Sequence, residues 1–245
     1  MENKLIIIIL ILFFLVWRFR LKKVAVYNSK FSGKIEILQK YNHEQVLMIN
    51  NYAQGISTNS PSIKQSYWYF LANQAVKHCR RKKNPSVLIY GLGANTTSSI
   101  INKLNSQIKQ TIVEIDPQII TVCKNHFNLN ELKNCQIINQ DAFKLLLSKN
   151  PFHKKFDVII VDIFTGIAPF VSKKSNQPNF ITKSIRHLKS DGLILFNRPG
   201  QDLQTLNECH KLQIYLSTLF QKSSISKIID PRGYKNNIIL ANHLS

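Results

Sequence analysis

Three hydrophobic patterns follow one another along the chain. The first is the unbroken apolar run 5–17 within "KLIIIILILFFLVWRFRLKK". It is shorter than the roughly 20 residues that cross a bilayer unaided. Lys4, Arg18 and Arg20 can snorkel, Trp17 suits an interface, and Phe19 and Leu21 extend the apolar face. Positive charge is heavier after the run than before it and no small-residue cleavage site follows closely, which disfavours a cleaved signal peptide. The expectation is a hydrophobic N-terminal helix within residues 1–23, touching the membrane through residues 5–21. The protein is then a single-pass membrane protein whose remaining mass is cytoplasmic.

The second pattern is period-two alternation. Residues 34–38 and 45–49 alternate apolar and polar on either side of "QKYNHE", a hairpin signal that predicts a small antiparallel β unit over residues 24–60. The third pattern fills residues 61–245. "SIKQSYWYFLANQAVKHCRRK" is helical, with a basic last turn suited to its C-terminal dipole. "VLIY", "TIVEI", "QII", "FDVIIV" and "LILF" are then short β-branched runs, each followed by a helix-compatible stretch. Such alternation specifies an α/β domain built on a doubly wound parallel sheet covered on both faces. "SISKIID" and "NNIILANH" lack a helix between them and predict an antiparallel pair closing that sheet.

In an open α/β sheet, ligands bind beyond the carboxyl ends of the strands, near the point where strand order reverses. Gly91 and Gly93 in "VLIYGLGANTTSSI" supply a tight turn after the first parallel strand, although the third glycine of a dinucleotide fingerprint is absent. Asn95 and Thr96 add polar groups to that turn. Glu114 ends the next strand, at the spacing of an acid that takes ribose hydroxyls. Glu114, Asp116, Asp141 and Asp162 fall at or just past three successive strand ends, a concentration that scatter would not favour in a chain with only 13 Asp and Glu. Asp116 before Pro117 equally suits a helix N-cap. Asp157 begins its strand, on the wrong edge, and is expected to hydrogen-bond structurally.

Charge and cysteine content narrow the partners. Against those 13 acids stand 33 Lys and Arg, a formal net charge of +20. The excess favours anionic partners, but the basic residues are spread along the chain without a nucleic-acid-binding motif, so specific nucleic-acid recognition is not expected. Cys79, Cys123, Cys135 and Cys209 have no metal-ligand spacing and read as small core residues, with neither a disulfide framework nor a metal site.

Taken together, "VLIYGLG", "VEIDPQII", "NQDAFKLL" and "FDVIIVDIFTG" resemble, in order and spacing, the spermidine synthases and related polyamine aminopropyltransferases. "QVLMINNYAQGIS" ahead of a Tyr-bearing helix resembles that family's N-terminal β domain. The resemblance runs from about Val24 to the C-terminus. It implies a Rossmann-like methyltransferase-type sheet, with decarboxylated S-adenosylmethionine as co-substrate and a small-molecule amine as acceptor, and it allows a homodimer. It places Gly91, Gly93, Glu114, Asp116, Asp141 and Ala142 at the cofactor, Glu114 on the ribose and Asp141 on the adenine amino group. Gln54 and Tyr67 fall near the substrate amine and Asp162 at the catalytic acid. The chemistry suits that last position: a neutral amine attacks a carbon bonded to a sulfonium, so a group must take its proton.

Two departures from the family pattern bear on the acceptor. Ala94 stands where the family usually has an acid after its Gly-rich turn, and Thr165 replaces the second acid of the catalytic segment. Each loss removes negative charge meant for an amine. Two further readings follow: an S-adenosylmethionine-dependent methyltransferase, and a membrane-tethered binding protein that keeps the fold without turnover.

Overall fold

The structure, a computed structural model, describes residues 21–164, 173–200 and 202–244. A small antiparallel sheet comes first, in the order β1 (Lys22–Ser29), β2 (Gly33–Gln39), β3 (Gln45–Ile49), β4 (Tyr52–Ile56). The two alternating runs are β2 and β3; β1 and β4 flank them, so the unit has four strands where alternation marked a single hairpin. Ile49 pairs with Tyr52 across Asn50 and Asn51, both at positive φ. Asn tolerates the left-handed region that two-residue hairpin turns demand. Glu36 is buried on β2, and Lys23 and Lys34 reach it at 2.5 and 2.9 Å.

These strands correct the expectation for the N-terminus. Lys22 and Lys23, expected as the cytoplasmic flank of a membrane anchor, open β1. Against the single-pass membrane assignment, no helix among the described residues is long and apolar enough to cross a membrane. The longest described helix has 15 residues and buries Cys209, Leu212 and Leu216, with its other positions exposed or half-buried. The apolar run 5–17, and with it the expected N-terminal hydrophobic helix, lies outside the described residues.

After β4 a short 3-10 turn leads to α1 (Tyr67–Cys79), capped by Ser66 Oγ, which accepts from Tyr69 N. The larger sheet comprises β5 (Ser86–Tyr90), β6 (Lys109–Glu114), β7 (Cys135–Asn139), β8 (Phe156–Val161), β9 (Leu188–Pro199), β10 (Phe220–Ile229) and β11 (Lys235–Leu244). Their spatial order is β10-β11-β9-β8-β5-β6-β7; strands β5 to β9 run parallel and β10 and β11 antiparallel. The helices α2 (Thr96–Leu104), α3 (Pro117–His126), α4 (Ala142–Leu145), α5 (Pro178–Ile185) and α6 (Leu203–Ser217) lie between strands. Val87, Ile89, Val158, Ile160 and Leu195 join one core, and Leu88, Tyr90, Ile159, Val161 and Phe196 the other. Period-two alternation thus feeds apolar side chains to both faces, which is why the strands read as continuous hydrophobic runs.

Strand order reverses at β5, flanked by β6 on one side and β8 on the other, so the crevice opens there. The small sheet is fastened over it. Thr96 Oγ1 donates to Ile56 O at 2.7 Å and accepts from Ile56 N at 3.0 Å, all buried. A side chain on Gly55 would run into Ala94 and its backbone. Thr96→Val keeps the shape but leaves both Ile56 groups unpaired, and stability is expected to fall by about 1–3 kcal/mol. Urea unfolding checks this; a midpoint equal to that of the parent would show that the joint does not depend on the hydroxyl.

Candidate active site

The turn after β5 is built by backbone conformations that side chains resist. Gly91 lies at φ +95, and a Cβ there would sit 2.2 Å from Asp162 O; Gly93 lies at φ +54 with Gln54 O where a Cβ would fall. The two glycines therefore let the turn touch the end of β8 and the small sheet at once. Glu114 holds the turn in place. Its Oε2 accepts from Leu92 N at 2.8 Å and its Oε1 from Asp116 N at 2.9 Å. Burial pushes the Glu114 carboxyl up, and these backbone N–H groups pull it back down.

Glu114 lines a cavity of about 450 Å³ together with Gly91, Gly93, Asp141, Ala142 and Asp162. Asp141 caps α4 by accepting from Phe143 N at 2.7 Å, and it remains half-buried on the cavity wall. Asp116 is placed differently. Its Oδ1 caps α3 by accepting from Gln118 N at 2.9 Å and its Oδ2 accepts from Ser32 Oγ, while the residue is buried and absent from the cavity wall. Its geometry matches the N-cap reading. Asp157 is likewise structural, accepting from Ser86 N and pairing with Lys189.

Asp162 stands at the other side of the turn. Asn197 Nδ2 donates to its Oδ1 at 2.8 Å, and Asn236 Nδ2 in turn donates to Asn197 Oδ1 at 2.9 Å. Loss of water raises the Asp162 carboxyl to about 6, against the pull of Asn197 and of the Arg198 charge. Tyr67 shares this cavity, as does Gln54. Burial and the nearby Asp162 hold the Tyr67 hydroxyl well above its ordinary range, so it remains protonated. Of the predicted site residues, the structure brings Gln54, Tyr67, Gly91, Gly93, Glu114, Asp141, Ala142 and Asp162 to one cavity and leaves Asp116 behind it.

The polar residues of the turn are consumed by the fold. Asn95 is fully buried and donates to Phe127 O at 3.0 Å, and Thr96 is spent on Ile56. Ala94 is buried against Gly55, outside the cavity lining. Thr165 lies outside the described residues. Other wall residues escaped the pattern reading: Phe31 and Ser32 at the β1–β2 tip, Trp68 beside Tyr67, Thr97 on α2, and Lys174. The link from Ser32 to Asp116, 84 residues apart in sequence, and that from Tyr27 to His126 bring the tip to the cavity. Trp68 adjoins Tyr67 in sequence, and the two rings lie tilted against each other with centroids 4.3 Å apart. Among the described residues no group of His, Cys, Asp and Glu could hold a metal ion.

Comparison with known proteins places this geometry. A family model described as the spermine/spermidine synthase domain matches residues 70–240. An eEF1A lysine and N-terminal methyltransferase homolog of Drosophila melanogaster is 25% identical over 162 residues, 63% of this chain and 24% of that protein. A polyamine aminopropyltransferase of Vibrio vulnificus is 23% identical over 137 residues, 56% of this chain and 45% of that protein. The chain thus spans less than half the length of these curated relatives. Among solved structures, a probable spermidine synthase from Corynebacterium glutamicum superposes with a TM-score of 0.71 at 19% identity, covering 89% of this chain and 79% of its own. Human methyltransferase-like protein 13, solved in complex with SAH, gives 0.57 at 17% identity, covering 74% and 81%. Both structures share the fold. With its two glycines, its strand-end acids and a family match spanning most of its length, the chain belongs to the spermine/spermidine synthase domain family.

Proposed function

We propose that the chain is an aminopropyltransferase that binds decarboxylated S-adenosylmethionine beside Glu114 and Asp141 and transfers its aminopropyl group to an amine. The observation that carries this reading is Asp162, a strand-end carboxyl raised to about 6 in the cavity that also holds Glu114, Asp141, Gln54 and Tyr67. The cavity walls fit a nucleoside. Glu114 spends one lone pair of each oxygen on backbone N–H groups, leaving others for ribose hydroxyls. Asp141 keeps one oxygen beyond its helix cap for an exocyclic amino group, and Ile115 and Ile119 supply apolar wall.

The sulfonium co-substrate supplies an electrophilic carbon whose bond to sulfur breaks as the amine nitrogen bonds to it. The protein's part is to hold that nitrogen in line and take its proton. Asp162 is fixed for this by Asn197, which leaves its second oxygen without a protein donor among the described residues. A carboxylate with a pKa near 6 is ionised at neutral pH and still basic enough to accept the proton. Gln54 and the protonated Tyr67 border the same space and orient the amine.

A methyltransferase reading has its own support: the Drosophila relative is named for methyl transfer. Chromatography of the nucleoside product separates the two, methylthioadenosine marking aminopropyl transfer and S-adenosylhomocysteine marking methyl transfer. Methylthioadenosine formation is expected, with kcat/KM falling about tenfold per pH unit as the pH drops below roughly 6, because the protonated acid cannot act as the base. Asp162→Asn should lower turnover about 10²–10⁴-fold with little change in nucleoside affinity. Turnover unchanged in that variant would refute the base assignment; S-adenosylhomocysteine as the product would refute aminopropyl transfer. Nucleoside binding with neither product would identify a binding protein.

A further inference from the structure

A second chamber of about 560 Å³ adjoins the first, and the two share Gln54 and Phe164 as common wall. An acceptor whose nitrogen reaches Asp162 past Gln54 would extend its remainder into this space. The chamber is walled by Tyr52, Tyr234 and Pro199, and by the buried side chain of Arg198, which is 3% exposed. A diamine site would ordinarily be expected to end in a carboxylate that pairs with the distal ammonium.

Arg198 is a buried cation held by neutral groups. Its Nε donates to Asn176 Oδ1 at 2.9 Å, its Nη2 to Asn176 Oδ1 and to Ser175 Oγ at 3.2 Å, and its Nη1 to Asn197 O at 2.7 Å. The second Nη1 hydrogen has no acceptor among the described residues. No carboxylate among them pairs with the guanidinium at ion-pair distance either, whereas Lys189, Lys82 and Arg232 each have one. Asp162 and Glu208 attract the guanidinium from a distance, and a buried charge without a close ionic partner keeps much of its desolvation cost.

Two acids also border the chamber. Asp202 is exposed and both its oxygens are engaged by Thr205, from N at 2.9 Å and Oγ1 at 2.7 Å. Glu208, half-buried on α6, attracts Arg198 from beyond ion-pair distance. The chamber therefore presents a desolvated guanidinium with a spare N–H and a single uncommitted carboxylate. In a site of low dielectric the buried charge dominates over the more exposed one.

We propose that this chamber receives a carboxylate, so that the acceptor is an aminocarboxylate, with its amine at Asp162 and its acid group at Arg198, and not a simple diamine. The proposal rests on the transferase reading for the role of Asp162. An α,ω-amino acid of about four carbons and the diamine of equal length differ only in the terminal group, so the pair isolates the charge at the chamber end.

Calorimetric titration of 4-aminobutyrate and of putrescine into the full chain saturated with methylthioadenosine makes the test. The aminocarboxylate should bind about tenfold or more tightly than the diamine, the scale of one charge-assisted contact. Arg198→Gln should abolish that preference. Because removing a buried arginine can unfold the protein, Glu208→Gln serves as the second variant, and there the preference should widen. Putrescine binding as tightly as 4-aminobutyrate in the parent, no binding of either, or a preference unmoved by both variants would overturn the proposal. Turnover is read separately. Methylthioadenosine formed with putrescine but not with 4-aminobutyrate would overturn the carboxylate assignment and keep aminopropyl transfer. Preferential 4-aminobutyrate binding without methylthioadenosine would uphold the chamber and sink the transferase reading.

Discussion

The site depends on one clamp. Glu114 reaches from the end of β6 to the backbone N–H of Leu92 in the neighbouring turn and to that of Asp116 in its own. Both donors would otherwise be buried and unpaired, each at a cost of about 1–3 kcal/mol. The clamp fixes the Gly91–Gly93 turn, and through Gly91 the turn sets where the backbone of Asp162 lies. One carboxylate thus ties together three strand ends and sets the distance between the Glu114 side of the cavity and Asp162.

Polar groups at the opposite side of the crevice form a second chain. Asn236 holds Asn197, Asn197 holds Asp162, and Arg198 adds positive charge behind them. Burial raises the Asp162 carboxyl, while its neighbours keep it low enough to ionise near neutral pH. Desolvation and fixed dipoles in opposition give a basic group without the aid of a second carboxylate. The surface of the protein, by contrast, is generically cationic, and its net charge of +20 says less about chemistry than these few buried groups.

The sheet was legible because its strands are buried on both faces, which writes "FDVIIV" and "LILF" as continuous apolar runs. The strand-end acids Glu114, Asp141 and Asp162 were legible for a related reason: strand ends are fixed by the runs before them, and acids are scarce. Ala94 shows the limit. Its position after the glycines suggested a lost acidic contact with an amine, but contact with Gly55, 39 positions earlier, turns it away from the cavity. Asn95 and Thr96 looked available and are spent on Phe127 and Ile56, partners that no local pattern announces. Arg198 escaped notice because a cation at the end of an apolar strand carries no periodicity, and its burial follows from Ser175 and Asn176 closing over it. The N-terminal anchor was read from hydropathy and flanking charge, and β1 begins at Lys22, within the expected basic flank.

The central claim is that Glu114 both builds the turn and binds the nucleoside. Calorimetric titration of methylthioadenosine into the parent and Glu114→Gln proteins tests it most directly, with unfolding midpoints measured on the same samples. A glutamine retains one acceptor oxygen and loses the charge, so affinity should fall by about 1–3 kcal/mol in a variant that still folds. Unchanged affinity in a folded Glu114→Gln protein would contradict the account.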